Sequence, residues 1–366
     1  MALGTGLRLL EALATPHGLD RYLELLHPML TVHDIRGQVT AVHRTTSDTV
    51  TLSIRPTHRW RGFSAGQFVR VSVDIDGVRR TRCYSPATSE HRDGFDLTVK
   101  AHDGGLVSGW LHANARPGLV VHLSQAEGAF TLGARRPERL LLISGGSGIT
   151  PVLSMLRTLA EEDHRGEVVF LHYARRQSDV PHLFALRALA ERTVGVRLVL
   201  AYTDADTDAG DLRGFCTEEH LRAAAPWFAD APAYLCGPPG LMSSVREIYT
   251  RLGAAGRLRT EEFAPAPVSA GLADATGEAA GEAKGTVTFA RSGRSAPNSG
   301  RTLLEQAEAA GLTPEHGCRM GICFSCTSVK TAGCVRDARS GEVSAEEDEE
   351  IQLCVRVPVG DVTIDI

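Results

Sequence analysis

The sequence predicts a multidomain protein in which an antiparallel β-barrel, an α/β domain with a parallel sheet and a small C-terminal α+β domain follow one another. Three observations support this prediction. Short β-rich segments separated by turn residues occupy residues 35–136. Strands alternate with helical patterns and glycine-rich turns over residues 137–265. A segment with almost no large apolar residues, 266–284, is expected to be a flexible linker to the last domain, 285–366.

The length and composition agree with several folded domains. A chain of 366 residues is too long for one ordinary core, and 43% hydrophobic with 23% charged residues is typical of a globular protein. Apolar residues near the N-terminus are interrupted by Arg8 and Glu11, and no run approaches the ~20 apolar residues that span a bilayer. We therefore expect a cytoplasmic protein that does not insert into a membrane and has no nucleic-acid partner. Residues 1–34 are expected to form a helical extension.

The barrel is predicted from five β-rich segments, G-Q-V-T-A-V, T-V-T-L-S-I, Q-F-V-R-V-S-V, D-L-T-V-K-A and L-V-V-H-L. One β run ends in R-C-Y-S, Arg82 to Ser85. Arginine can neutralise a phosphate, tyrosine can stack on a flat ring and serine can hydrogen-bond a ring nitrogen, so these residue types suit a flavin nucleotide. The segment from Gly105 to Ser108 begins a predicted helix whose N-terminus offers a second phosphate site. An ordinary surface strand with the same residue types is the alternative.

Two glycine-rich loops indicate nucleotide binding in the α/β domain. The turn G-G-S-G-I-T-P, Gly145 to Pro151, follows a buried strand, and its small residues allow the backbone to approach a pyrophosphate at a helix N-terminus. It departs from G-x-G-x-x-G because Pro151 replaces the third glycine, so a plain strand–helix turn is the alternative. The loop C-G-P-P-G, Cys236 to Gly240, also follows a strand. Both loops are expected at the carboxyl ends of strands, where ligands bind.

The segment after the second strand of this domain bears on the choice of nucleotide. It reads H-Y-A-R-R-Q-S-D, and Arg175 and Arg176 stand where arginine accommodates the 2′-phosphate of NADPH. Asp179 is close enough to bind the ribose of NADH instead. The sequence therefore favours NADPH and leaves NADH open.

A cluster of cysteines marks the last domain. Cys318, Cys323 and Cys326 have the spacing C-x4-C-x2-C, and 27 residues separate the third from Cys354. This is the plant-type arrangement of ligands for a [2Fe-2S] cluster. A zinc site is the alternative, although such sites usually pair two C-x2-C knuckles. Cys334 is expected to be a spectator, because its use as a ligand would leave Cys354 without a role.

A [2Fe-2S] cluster carries one electron at a time, so the chain should also contain a converter from hydride to single electrons. The motifs R-x-Y-S, G-G-x-G-I-T-P and C-G-P and the cysteine spacing occur in that order over residues 35–366. In this they resemble the ferredoxin-NADP reductase superfamily fused to a C-terminal plant-type ferredoxin domain. The resemblance implies FAD in the barrel, with FMN open, NADPH or NADH in the α/β domain, and a β-grasp ferredoxin-like fold at the C-terminus.

The resemblance also implies roles for individual residues. Tyr84 would stack on the isoalloxazine, Ser85 would lie near flavin N5, and T-E-E-F offers Glu261 as a proton relay. The candidate catalytic residues are Ser85, Cys236 and Glu261; the candidate cofactor-binding residues are Arg82, Tyr84, Gly105, Ser108, Gly145, Gly146, Gly148, Thr150, Arg175, Arg176, Gly237 and Phe263; the candidate metal ligands are Cys318, Cys323, Cys326 and Cys354.

The expected partner is a separate protein that accepts electrons. The cysteine loop and the segment from Tyr22 to Leu30 resemble bacterial reductases that serve fatty-acid desaturases, alkane hydroxylases or cytochromes P450, with a membrane-bound acceptor open. Two alternatives remain: an NAD(P)H oxidoreductase that acts alone on a small-molecule acceptor, and a redox-sensing binding module. Complete hydride-transfer residues argue against the second.

Overall fold

A computed structural model describes residues 19–102, 105–204, 210–263, 285–316, 321, 326–338 and 341–366. The expected linker and the cysteines Cys318 and Cys323 lie outside these residues. Close approaches of the backbone divide the chain into two compact units, which we describe separately. Residues up to Glu262 form one unit and residues from Phe263 form the other, with Arg80–Cys83 grouped with the second.

The first sheet has six strands in the order β4-β3-β6-β1-β2-β5. The pairings of β1 with β2 and β6, of β2 with β5 and of β3 with β6 are antiparallel, as expected for the barrel. Alternate residues point inward, so that Val39, Leu52 and Leu97 are buried in one core, to which the helix of this region adds Leu111. The strands are β1 Ile35–Thr46, β2 Thr49–Pro56, β3 Val69–Ile75, β4 Val78–Tyr84, β5 Phe95–Lys100 and β6 Val120–Leu123, and the helix α2 is Leu106–Asn114.

A short helix, α1 (Leu19–Leu26), precedes this sheet. The carboxylate of Asp20 accepts hydrogen bonds from the three backbone N–H groups of residues 32–34 at 2.5–2.8 Å. The side chain of Arg36, in β1, is buried and donates to the carbonyl of Pro28 at 2.8 Å. The described part of the N-terminal extension therefore packs on the antiparallel sheet.

The second sheet is parallel and has the order β10-β9-β8-β7-β11-β12. Its strands are apolar on both faces because helices connect and cover them. The strand order reverses between β7 and β11, and ligands bind at such a switch point. The strands are β7 Arg139–Gly145, β8 Glu167–Ala174, β9 Val196–Tyr202, β10 Leu212–Arg213, β11 Ala233–Cys236 and β12 Leu258–Glu261, and the helices are α3 Ile149–Glu161, α4 Leu183–Arg192, α5 Glu218–Ala224 and α6 Pro239–Arg251.

The C-terminal unit contains a mixed sheet with the order β14-β13-β18-β15-β16, and β17 pairs with β15. Its helix begins with a capping box in which Thr302 and Glu305 satisfy each other's backbone N–H groups, as a Thr-x-x-Glu sequence predicts. The elements are β13 Thr286–Phe289, β14 Arg294–Pro297, α7 Leu303–Ala309, β15 Thr327–Asp337, β16 Val343–Ser344, β17 Glu349–Gln352 and β18 Arg356–Ile364.

This architecture confirms the predicted fold class. In the described ranges, no helix combines the length and the apolar character that crossing a membrane requires.

Candidate nucleotide and flavin site and metal centre

Four polar or thiol side chains form a row across the end of the parallel sheet. Cys236 of β11 pairs in register with Glu261 of β12 and with Ser144 of β7, and Ser144 pairs with His172 of β8. Residues in register on parallel strands point to the same face of a sheet, with strands ~4.8 Å apart. We call these four residues the polar row. It lies at the carboxyl end of the sheet and spans the switch point between β7 and β11.

The polar row lies on the face of the parallel sheet that packs against α3 and against two residues of the antiparallel region. Phe170 and Tyr234 lie two residues before His172 and Cys236, and so share their face. Both belong to a core that includes Ala65 and Ala87 from the antiparallel region together with apolar residues of α3. Side chains of the row are therefore directed toward the part of the chain that was expected to hold the flavin.

At one end of the row, burial changes the protonation of Glu261. Loss of hydration raises the pKa of its carboxyl group to about 8, and its Oε2 atom is enclosed with no hydrogen-bond partner among the described residues. The neighbouring Cys236 is fully buried, and burial together with the nearby carboxyl group raises the pKa of its thiol. A carboxyl group that keeps its proton near neutral pH can donate it to a ligand.

At the other end of the row, His172 is fully buried and its Nδ1 lies 2.8 Å from the hydroxyl oxygen of Ser144. Burial lowers the pKa of His172 to about 3, so the ring is neutral at pH 7. Its Nε2 has no hydrogen-bond partner in the described chain. Sequence reasoning missed this pair, although a polar residue at the end of an otherwise apolar parallel strand was a signal for it.

Ser85 supplies a third enclosed polar atom. The residue follows β4, is 2% exposed, and its hydroxyl has no hydrogen-bond partner among the residues that the structure describes. A buried polar group without a partner costs about 1–3 kcal/mol, so such groups are retained mainly where a ligand completes them. The unpartnered atoms of Ser85, Glu261 and His172 thus fit a site for a flavin and a nicotinamide, both of which carry hydrogen-bonding ring substituents.

The other flavin-site candidates lie on or beside the antiparallel sheet. Arg82 and Tyr84 are in β4; the guanidinium of Arg82 donates to the carbonyl of Thr81 at 2.7 Å, and Tyr84 packs beside the core. Gly105 stands at the N-cap of α2, where the hydroxyl of Ser108 donates to its carbonyl at 3.3 Å. The hydroxyl of Ser108 closes this turn, and its role at a flavin phosphate stays a prediction.

The two glycine-rich loops meet at the switch point. Gly145 ends β7, and Gly146 has φ +53° and lines a cavity. A Cβ atom at Gly148 would lie 2.4 Å from the carbonyl oxygen of Cys236 and 2.6 Å from the nitrogen of Gly237. Glycine is therefore required at position 148 by the close approach of the two loops.

Two further candidates flank these loops. Thr150, in the first turn of α3, is buried and donates from its hydroxyl to the carbonyl of Ser147 at 3.4 Å. Phe263 lies two residues beyond β12 and is half-buried. The expectation that both bind a cofactor stays a prediction.

A cavity of about 380 Å³ lies at the carboxyl end of the parallel sheet. Its walls include Arg175 and Asp179 after β8 and Gly240 at the start of α6. Such concave sites with a few polar groups are the usual form of cofactor pockets. Lys100, at the end of β5, also lines the cavity, so the antiparallel sheet contributes a cation that sequence reasoning did not single out.

The two arginines that favoured NADPH are placed differently. Arg175 lines the cavity, and its Nε lies 3.2 Å from the carboxylate of Asp179. Arg176 forms an ion pair with Asp204 at 2.8 Å. Arg175 is therefore the better placed of the two to meet a 2′-phosphate, while Asp179 places a carboxylate in the same wall.

The candidate metal centre is described in part. Cys326 and Cys354 are 2% and 6% exposed, and the N–H of Leu353 donates to the carbonyl of Cys326 at 3.1 Å, which holds the two segments together. Neither forms a disulfide with another described cysteine. Cys334 lies eight residues along β15 from Cys326, a strand distance of roughly 25 Å. Two buried thiols on adjoining segments fit two of the expected ligands of a [2Fe-2S] cluster, and the exclusion of Cys334 from the ligand set stays a prediction.

Three known families match successive parts of the chain. Residues 36–132 match an oxidoreductase FAD-binding domain, residues 142–247 an oxidoreductase NAD-binding domain, and residues 287–358 a 2Fe-2S iron-sulfur cluster binding domain.

Individual relatives cover most of the chain. An NADPH oxidoreductase of Mycobacterium tuberculosis is 36% identical over 97% of this chain and 90% of its own length. A glycine betaine monooxygenase reductase subunit of Pseudomonas aeruginosa is 33% identical over 83% of this chain and 87% of its own. The structure of phthalate dioxygenase reductase shares the fold, with a TM-score of 0.61 and 22% identity over 91% of this chain and 98% of that one. The chain therefore belongs to the family of NAD(P)H oxidoreductases that join an FAD-binding, an NAD-binding and a [2Fe-2S] domain in one polypeptide.

Proposed function

We propose that this protein is an NADPH-dependent reductase component that passes electrons through its [2Fe-2S] cluster to a separate oxygenase, desaturase or cytochrome P450, either dissolved or membrane-bound. The observation that carries the proposal is that the enclosed polar atoms of Ser85, Glu261 and His172 belong to the same compact unit as the nucleotide cavity, in a chain that also carries a buried cysteine pair.

The cofactors perform the bond changes: nicotinamide supplies a hydride, flavin accepts it and releases electrons singly, and a [2Fe-2S] cluster carries one electron at a time. The chain supplies binding and proton positions. Glu261, whose pKa burial raises to about 8, would hold a proton at its carboxyl group near the reacting rings. Ser85 would offer its hydroxyl to a ring nitrogen, and Tyr84 would cover one flavin face.

NADPH is proposed as the electron donor because Arg175 lines the cavity and can make charge-assisted hydrogen bonds to a 2′-phosphate. The mycobacterial relative carries the name NADPH oxidoreductase, which supports the same choice. The alternative, NADH, would use Asp179 in the same wall.

The proposed acceptor is a protein because relatives of this chain are named as subunits. The Pseudomonas relative is named as the reductase subunit of a monooxygenase, and a Rhizobium meliloti relative, 30% identical over 82% of this chain, as the reductase subunit of a demethylase. Both names describe a reductase that works with a second subunit.

The experiment is an anaerobic titration of the cluster-replete protein with NADPH and, separately, with NADH. Flavin bleaching is followed by absorbance and the reduced cluster by electron paramagnetic resonance. We expect the flavin to bleach at a lower concentration of NADPH than of NADH, and the signal of the one-electron-reduced cluster to follow. Turnover should then require an added protein acceptor.

Two results would contradict the proposal. A flavin that is reduced while the cluster stays oxidised would show that the C-terminal unit is not the electron outlet. Steady turnover with a quinone or oxygen at the rate reached with any protein acceptor would favour an oxidoreductase that acts alone.

A further inference from the structure

His182 joins the two sheets of the first unit by hydrogen bonds. It lies just before α4, and its Nε2 is 2.7 Å from the hydroxyl oxygen of Thr98 in β5 and 3.4 Å from that of Thr51 in β2. The two hydroxyl oxygens are 3.0 Å apart. Thr51 and Thr98 are buried and His182 is half-buried, and the three groups form a triangle between the antiparallel sheet and the helices of the parallel sheet.

The backbone of His182 is held in an unusual conformation. Its φ of +60° places it in the left-handed region, which residues with a Cβ atom enter at a cost. Loss of hydration lowers the pKa of His182 to about 4, so the ring is neutral at pH 7 and can form neutral hydrogen bonds to both hydroxyl groups. Residues kept in such conformations are held there by surrounding contacts, and here these contacts are the two threonines.

Both partners in this contact belong to segments that line the nucleotide cavity. On one side, His182 ends the segment 175–182, in which Arg175 and Asp179 line the cavity. On the other side, Thr98 lies two residues before Lys100 in the same strand, and Lys100 lines the same cavity. Since alternate residues of a strand point to the same face, Thr98 and Lys100 are on one face of β5.

We propose that His182 is a positioning residue for hydride transfer: through Thr98 it fixes the cavity wall 175–182 against strand β5, and so aligns the nucleotide held by the parallel sheet with the flavin side of the antiparallel sheet. This rests on the proposed binding of NADPH in the cavity. The contact aligns the two walls and adds no reacting group. Its loss should therefore slow hydride transfer more than it weakens the binding of a nucleotide that touches only the wall 175–182.

Three variants of the full-length holoprotein test the proposal. His182→Gly removes the ring and keeps the left-handed backbone without cost. Thr98→Val removes the hydroxyl from the opposite side, retains the β-branched shape and leaves the backbone of position 182 untouched. The double variant completes a double-mutant cycle, which shows whether the two substitutions act through the same contact. The matched control is His91→Ala, since His91 also joins the two regions, 3.0 Å from Glu162, but is exposed and is not among the residues lining the cavity.

Two quantities are measured for each variant with equal flavin content. One is the rate constant of flavin bleaching at saturating NADPH, by anaerobic stopped flow. The other is the dissociation constant of 2′,5′-ADP, which reports the nucleotide wall without the nicotinamide. We expect each single variant to lose at least tenfold in rate and less than about threefold in 2′,5′-ADP affinity, and the double variant to be no slower than the slower single variant. His91→Ala should match the wild type.

The result that overturns the proposal is a folded Thr98→Val or His182→Gly protein that bleaches within twofold of the wild-type rate. A loss of 2′,5′-ADP affinity equal to the loss of rate would also overturn it, since His182 would then act only on its own segment. If the wild-type protein is not bleached by NADPH, the proposed function fails instead, so the two failures are distinguishable.

Discussion

Glu261 lies opposite Cys236 on the neighbouring parallel strand, at the carboxyl end of the sheet. Burial favours the neutral form of both groups because an ionised group loses its hydration there, and for the thiol of Cys236 the nearby carboxyl groups add to this effect. Ser144 and His172 continue the same register across the switch point. The parallel sheet therefore presents protonated or neutral polar groups on the face that it shares with α3 and with residues of the antiparallel region, in which a hydride acceptor is proposed to bind.

The first prediction concerns Glu261 and pH. The folded protein keeps the carboxyl proton up to a pKa of about 8, whereas the unfolded chain loses it near the ordinary value of 4.5. Between these values the folded state binds more protons, so stability falls as pH rises, by at most about 1.4 kcal/mol per pH unit. Glu261→Gln should remove that slope in urea unfolding followed from pH 5 to pH 8.

The matched control for this experiment is Glu262→Gln, which changes the adjacent carboxyl group. Glu262 is exposed and forms an ion pair with Arg246 at 2.5 Å, so its substitution should leave the slope as it is in the wild type. If the stability of Glu261→Gln and that of the wild type change in parallel over this pH range, the prediction of a buried, protonated carboxyl group at Glu261 is wrong.

The second prediction concerns Gly148. A Cβ atom there would overlap the backbone of Cys236 and Gly237, so Gly148→Ala must push the two nucleotide loops apart. We expect a loss of about 1–3 kcal/mol in the free energy of unfolding, and at least a tenfold weaker binding of NADP⁺, measured by fluorescence titration. Gly256→Ala, where an added Cβ has open space, should change neither quantity.

The third prediction separates Arg175 from Arg176. Arg175→Ala should lower kcat/KM for NADPH by roughly 10- to 100-fold, the value of a charge-assisted hydrogen bond to phosphate of about 1.5–3 kcal/mol, and leave NADH turnover nearly unchanged. Arg176→Ala should have less than about a threefold effect, because Arg176 is not among the residues that line the cavity and its guanidinium is paired with Asp204 outside it. Equal losses with both nucleotides would contradict a 2′-phosphate contact at Arg175.

The fourth prediction concerns the metal centre. Cys354→Ser should abolish the cluster, seen as loss of bound iron and sulfide and of the one-electron resonance, while NADPH still bleaches the flavin within about twofold of the wild-type rate. Cys334→Ser should retain a full cluster, because Cys334 is in β15, eight residues beyond the buried Cys326. A cluster that survives in Cys354→Ser and disappears in Cys334→Ser would reverse the proposed ligand set.

The order of the three domain types, the cysteine spacing and the two glycine-rich loops could all be predicted from the sequence. These features depend on local patterns: the period of apolar residues, the turn residues between them and the fixed distance between ligands along the chain. The matches to FAD-binding, NAD-binding and 2Fe-2S domains confirm the predicted domain types. Arg175 and Cys326 could be singled out from the sequence for the same reason, since each belongs to a short local motif.

The tertiary structure determined which residues from distant segments lie together, and local sequence patterns do not contain this information. Strand register placed Ser144 and His172 in one row with Cys236 and Glu261, although the four residues are up to 117 positions apart in the sequence. Packing of one sheet against the other brought Lys100 to the nucleotide cavity and His182 to Thr98. Register and packing between distant segments arise from burying apolar faces together, so no single segment of the sequence carries them.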